Sequence, residues 1–185
     1  MGGSFNPAHD GHLEISDKAR KAANLDEIWW LVSPQNPLKP RADMADLSAR
    51  ITGARILSDP YRWLRILDIE HQIGVVHTAP LLSYLKHRLP VCSLFWIMGA
   101  DNLTQFPYWR QPRRLSRLCP VIVVNRPGYG YAALGSEGAA ILGRGRRRLN
   151  AATLGRHRPG WSFLFGSHNP LSASQIRKTG QIEVT

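Results

Sequence analysis

Five short apolar runs, rich in β-branched and aromatic residues, recur along the chain: EIWWLVS (27–33), LRILDIE (64–70), SLFWIMG (93–99), VIVVNRP (121–127) and WSFLFGS (161–167). Each is nearly continuous in apolar character, as strands buried on both faces require. Between them lie segments with helical spacing. HLEISDKARKAANL (12–25) gathers Leu13, Ile15, Ala19 and Ala22 on one broad face, and ADLSARITGARILSD (45–59) does so with Leu47, Ile51, Ala54 and Leu57. PLLSYLKHRL (80–89) opens on Pro80, suited to a first helical turn, and repeats Leu at 81, 82, 85 and 89. Strand and helix alternate, which predicts an α/β fold: a doubly wound parallel sheet with helices on both faces. No internal repeat or linker interrupts it, and 185 residues suffice for one well-buried domain spanning 1–185.

Composition adds three constraints. No apolar run approaches the roughly 18 residues that span a bilayer, and the N-terminus lacks the basic-then-apolar pattern of a signal peptide. Cytoplasmic residence without membrane attachment is the expectation. Cys92 and Cys119 are the only cysteines; two cannot build a zinc site, and buried free thiols are expected. The net charge of +11 suits an anionic partner, whether nucleic acid, membrane surface or phosphorylated metabolite. Much of it sits in GRGRRRLNAATLGRHR (143–158), which reads as a solvated loop or ragged helix.

In a sheet of this kind ligands bind beyond the carboxyl ends of the strands. The segments found there, SPQNPLKP, GADNL, NRPGYG and GSHNPLSASQIR, are rich in turn formers. The opening MGGSFNPAHDGH belongs with them. Gly2 and Gly3 let the backbone approach a ligand closely, and the helix that follows offers free N–H groups to an anion. His9 and His12, three apart at a helix start, can turn towards one point and donate to phosphoryl oxygens. A metal pair with Asp10 or Glu14 nearby, or two surface polar residues, are the alternatives for the histidines alone. After the last strand, Ser174 and Arg177 in LSASQIRK fall at a helix start and suit a polyphosphate, although a plain cap with a solvated Arg would read the same.

GGSFNPAHDGH, SPQNPLK, WIMGADNL, FPYW, RPGY and LSASQIR occur in that order from residue 2 to about 178. Together they resemble the bacterial nicotinate mononucleotide adenylyltransferases, of the Rossmann-like nucleotidyltransferase superfamily with the HxGH signature. The resemblance implies an enzyme of NAD biosynthesis that transfers the adenylyl group of ATP to nicotinate mononucleotide, giving deamido-NAD and pyrophosphate with Mg²⁺. It assigns His9, His12 and Arg177 to catalysis. Gly3, Ser4, Phe5, Lys39, Gly99, Asp101 and Ser174 would join them in binding ATP, and Asn36, Thr78 and Trp109 would bind the nicotinate nucleotide. No protein metal site, nucleic acid or membrane partner is implied. A related transferase using nicotinamide mononucleotide or pantetheine phosphate, and a non-enzymatic basic homologue, are the competing readings.

Two features depart from the family pattern. Where relatives carry Thr-x-Asp-Thr-Leu, this chain reads Thr78-Ala79-Pro80-Leu81-Leu82. The first strand of the sheet, which should precede the glycine pair, is represented by Met1 alone; the expectation is that it is missing and that coding sequence for it lies upstream. Of the other histidines, His71 and His87 are expected on the surface and His157 in the basic segment, while His77 and His168 lie near post-strand loops.

Overall fold

In a computed structural model that describes residues 1–34, 44–143, 146, 160–166, 173, 176 and 177, each of the five apolar runs contains a strand. The chain enters β1 (Gly2–Gly3), α1 (Asp10–Ala23), β2 (Ile28–Val32), α2 (Leu47–Ser58), β3 (Leu64–Leu67), α3 (Ile69–Gln72) and α4 (Thr78–Arg88). It continues through β4 (Trp96–Gly99), α5 (Ala100–Gln105), a 3₁₀ turn (Phe106–Tyr108), α6 (Pro112–Leu118), β5 (Val121–Val124), α7 (Gly130–Leu134), α8 (Glu137–Leu142) and β6 (Trp161–Leu164).

Side-chain alternation along these strands explains why the runs look uninterrupted. Ile28, Trp30, Val32, Ile97, Ile122 and Val124 enter a core with Phe5, Leu13 and Ile15. Their sequence neighbours Leu31, Trp96, Met98, Val121 and Val123 enter a second core with Leu81, Leu85, Leu103 and Leu115. Successive residues point to opposite faces, and both faces are covered. All ladders are parallel, but they form two three-stranded sheets, β1-β2-β3 and β4-β5-β6, where the sequence pattern suggested one. Each core draws on both sheets, and α1 packs on β4 and β5. Helices therefore lie on both faces, as expected.

The expectation of a missing first strand is corrected: the glycine pair itself is β1. It runs parallel to β2, with Gly2 opposite Leu31 and Gly3 opposite Val32. The Met1 amino group donates to Trp29 O at 2.8 Å, Leu31 N–H to Met1 O at 2.9 Å and Ser33 N–H to Gly3 O at 2.9 Å. Two residues without side chains carry no periodic signal, so backbone pairing alone makes this strand. Among the described residues no ladder joins β1 to β4. Trp96 lies there instead, so close that a Cβ on Gly2 would come within 2.6 Å of its ring.

Three boundaries move. The run 64–70 is strand only to Leu67, and Glu70 and His71 belong to α3. α1 starts at Asp10, two residues earlier than the apolar pattern suggests. α4 starts at Thr78, so Pro80 is its third residue, still within the turn whose N–H groups lack intrahelical partners. Cys119 is buried as expected, but Cys92 is exposed. His71 and His87 are exposed. His157, His168 and all of the basic segment except Gly143 and Arg146 lie outside the described residues. No helix among the described residues is long and apolar enough to cross a membrane.

Candidate active site

The two histidines close the first turn of α1 on each other. His9 is the extended N-cap; its Nδ1 accepts the Gly11 N–H at 3.1 Å, while His12 Nδ1 accepts the His9 N–H at 3.2 Å. This is a capping box built from imidazoles in place of the usual hydroxyl and carboxylate. Its chemical consequence is a fixed tautomer. With both Nδ1 atoms accepting, each neutral ring carries its proton on Nε2. The ring centroids are 3.9 Å apart. His9 is buried, and its Nε2 has no hydrogen-bond partner among the described residues. Burial, and then the charge of Arg126, push its pKa down to about 4, so it is neutral near pH 7.

The turn ahead of the histidines is held from three sides. Phe5 stacks on Trp30 of β2 at 4.8 Å and lies 4.9 Å from His12. Trp30 Nε1–H donates to Ser16 Oγ, whose hydroxyl donates to His12 O, each at 2.8 Å. Phe5 itself has φ +46°, a left-handed conformation unusual for an aromatic residue and therefore imposed by its surroundings. Arg50 donates to the Ser4 carbonyl at 2.7 Å, and Arg177 donates to the Asn6 carbonyl.

A cleft of ≈ 340 Å³ opens in front of this turn. Its walls include Gly3, Ser4, Phe5, His9, His12, Thr78, Gly99, Asp101 and Trp109, nine of the residues singled out in the sequence. Arg177 reaches the turn at Asn6 O. Asn36, Lys39 and Ser174 lie outside the described residues. Gly99 makes room for two charged side chains: a Cβ there would fall 2.3 Å from Asp101 Oδ1 and 3.1 Å from Arg126 Nε, so any larger residue would displace them. Arg126 Nε stands 3.6 Å from Asp101 Oδ1, which is buried without a hydrogen bond among the described residues. Trp109 serves core and cleft together, edge-on to Trp96 at 6.2 Å and to Phe106 at 5.5 Å. His77, the N-cap of α4, also lines the cleft.

Three further residues shape the site without having been singled out. Arg126 sits in RPGY, so the motif marked it but its partner Asp101 is 25 positions away. Glu70, buried in α3, lines the cleft; burial raises its carboxyl to about 6 against the lowering effect of a hydrogen bond from Ser33. It was hidden inside an apparent strand. Arg50 carried no signal at all. Among the described residues no group of three His, Cys, Asp or Glu could hold a metal ion.

Comparisons with known proteins bear on the fold and the family. The family model described as cytidylyltransferase-like matches residues 1–179. A Cereibacter sphaeroides protein is 44% identical over 182 residues, covering 98% of this chain and 96% of its own. One from Gluconobacter oxydans is 39% identical over 183 residues, covering 98% and 93%. Both bear the name "Probable nicotinate-nucleotide adenylyltransferase". Among solved structures, Plasmodium falciparum nicotinic acid mononucleotide adenylyltransferase complexed with NaAD matches with a TM-score of 0.72 at 18% identity, over 98% of this chain and 82% of that one. The same enzyme complexed with APC matches with a TM-score of 0.69 over 96% and 80%. At that identity the likeness speaks for the fold, which is the Rossmann-like nucleotidyltransferase fold.

Proposed function

The chain belongs to the nicotinate-nucleotide adenylyltransferase family within the cytidylyltransferase-like proteins, and from this we propose that it joins ATP and nicotinate mononucleotide into deamido-NAD and pyrophosphate. The observation that carries the reading is the locked His9–His12 pair at the mouth of α1, with both Nδ1 atoms committed and both rings lining the cleft.

A phosphate oxygen of the mononucleotide attacks the α-phosphorus of ATP. The bond from that phosphorus to the oxygen bridging to the β-phosphorus breaks, and pyrophosphate leaves with the bonding pair. No covalent enzyme intermediate is needed. The protein's part is alignment and charge stabilisation. His9, neutral near pH 7, and His12 donate Nε2–H to phosphoryl oxygens of the transferring group, reinforced by the positive end of α1. Arg177, with Lys39 and Ser174, grips the departing β- and γ-phosphates. Gly99 and Asp101 hold the adenosine ribose, and Trp109 offers its face to the pyridine ring. In α4, Pro80 has no N–H and Leu81 N–H already donates to His77 O at 3.2 Å. The N–H groups of Thr78 and Ala79 are then the first-turn donors left for the nicotinate carboxylate, in place of side chains that Pro80 and Leu81 have removed.

Adenylyl transfer from ATP generally uses a divalent metal, and we assign Mg²⁺. The donor set in the cleft does not build a cage for it among the described residues, and the ion would arrive as part of the substrate, carried on the ATP phosphates. We place the reaction in the cytoplasm.

The test is direct. Incubating the chain with ATP, Mg²⁺ and, in separate arms, nicotinate mononucleotide, nicotinamide mononucleotide or pantetheine phosphate, and following pyrophosphate together with the adenylylated product, is expected to show turnover with the nicotinate nucleotide. Turnover only with the amide or with pantetheine phosphate would move the chain to a related transferase, and none with any acceptor would overturn the enzymatic reading.

A further inference from the structure

Arg50 is only 4% exposed, yet among the described residues its guanidinium hydrogen-bonds backbone carbonyls and no carboxylate, with Asp46 acting on it only electrostatically. Nη1 donates to Ser4 O at 2.7 Å and Ser33 O at 2.8 Å, Nη2 to Pro34 O at 3.0 Å and Nε to Ala45 O at 2.9 Å. Burying a cation is expensive, and carbonyl dipoles repay less than an anion would. For stability alone an apolar side chain would serve better at this position in α2. The four acceptors point to another use. They come from the turn that opens the chain, from the end of β2 and from the entrance to α2, three backbone segments that this one guanidinium joins. Asn6 adds a second tie between the first and the last by accepting the Ala45 N–H at 3.2 Å.

The geometry at Ser4 has a specific consequence. In a trans peptide the carbonyl and the following N–H point in opposite directions. With the Ser4 carbonyl fastened to Arg50, the Phe5 N–H faces away from the guanidinium, and the left-handed φ of Phe5 is held in place. Ser4, Phe5 and Ser33 all line the cleft. We propose that Arg50 is a positioning residue for the polyphosphate of ATP: it withdraws the Ser4 and Ser33 carbonyl oxygens from the cleft and turns the Phe5 N–H towards the phosphates. Oxygens that would repel an anion are masked, and a positive charge stands behind the turn. The inference rests on the adenylyl-transfer reading for its substrate, but not for its ligand class, which is a polyphosphate.

Two variants and two readouts test it. Arg50→Lys keeps charge and most of the packing but cannot reach all four carbonyls; Arg50→Met removes every one of these bonds. Steady-state kinetics with ATP and nicotinate mononucleotide varied separately, plus calorimetry with pyrophosphate and the mononucleotide as probes, separate positioning from mere folding. Arg50→Lys is expected to raise KM for ATP about tenfold, as loss of a charge-assisted hydrogen bond would. Pyrophosphate affinity should fall in parallel, with KM for the mononucleotide changed less than about twofold. Arg50→Met should lower kcat/KM for ATP more than about 100-fold; should it fail to fold, the Lys variant carries the test. Equal losses for both substrates, or unchanged ATP and pyrophosphate binding in a folded Lys variant, would overturn the proposal. An inactive wild type would refute the proposed reaction alone, since weaker pyrophosphate binding by Arg50→Lys would still support the role of Arg50 and equal binding would still refute it.

Discussion

The two ends of the cleft are built differently. At the end we assign to the phosphates, directional bonds fix the groups: the reciprocal caps of His9 and His12, the carbonyls held by Arg50 and the Asn6 carbonyl held by Arg177. At the end we assign to the acceptor, ring packing predominates. Trp109 meets Trp96 and Phe106 edge-on, Tyr108 is 76% exposed, and His77 caps α4 without a side-chain hydrogen bond. The difference follows the chemistry. Charge develops where the α-phosphorus changes partners, and preorganised dipoles act there without reorganising. On the proposed roles, pyridine recognition needs a face and a few N–H groups, which Trp109 and the first turn of α4 can offer with Pro80 and Leu81 in place. Leu81 is wholly buried in the core.

The strongest way to break this contrast is at His12. His12→Ala removes a ring donor and half of the capping box, and is expected to lower kcat about 10²–10³-fold with little change in KM for the mononucleotide, measured by pyrophosphate release. A loss confined to KM would place His12 in binding and not in the transfer step.

Acid is the next lever. His9 is held near a pKa of about 4 against an ordinary 6.5. The unfolded chain therefore binds more protons between those values, and stability is lost as pH falls from 6.5 towards 4, on the order of 3 kcal/mol. Glu70, raised from 4.5 to about 6, acts in the opposite sense: its folded form binds more protons, so it favours folding as pH falls from 6 to 4.5. Urea unfolding across this range should show a shallow decline in the parent, a steeper one in Glu70→Gln and a nearly flat or rising profile in His9→Gln. Identical profiles in all three would show that neither group titrates as its burial demands.

The smallest effect belongs to the acceptor end. Trp109→Leu keeps an apolar contact with the core but removes the aromatic face, and is expected to raise KM for nicotinate mononucleotide about fivefold while KM for ATP stays within error. An equal rise for both substrates would mean that Trp109 acts by shaping the whole cleft.

Much of this was legible in the chain itself, for physical reasons. Strands buried on both faces must be apolar throughout, so β2 to β6 announced themselves. His9 and His12 are three residues apart, and their mutual capping is local, so the turn could be read as a unit. Long-range partners left no such mark. Arg50 is 46 residues from Ser4, and nothing near it in sequence distinguishes it from a solvated helix arginine. Glu70 closes a run that looks like strand because Ile66, Leu67 and Ile69 precede it, yet the ladder with β2 ends at Leu67. Met1, Gly2 and Gly3 offer no pattern from which pairing could be inferred.

The sequence by itself determined the layered α/β architecture, the glycine–histidine turn and the family, because these depend on periodicity and on residues adjacent in the chain. Only the tertiary structure decided that the glycine pair is a strand, that His9 is neutral and holds its proton on Nε2, and that a buried arginine fastens the turn. Each of those depends on backbone groups and burial contributed by segments far apart in sequence, and only folding brings them together.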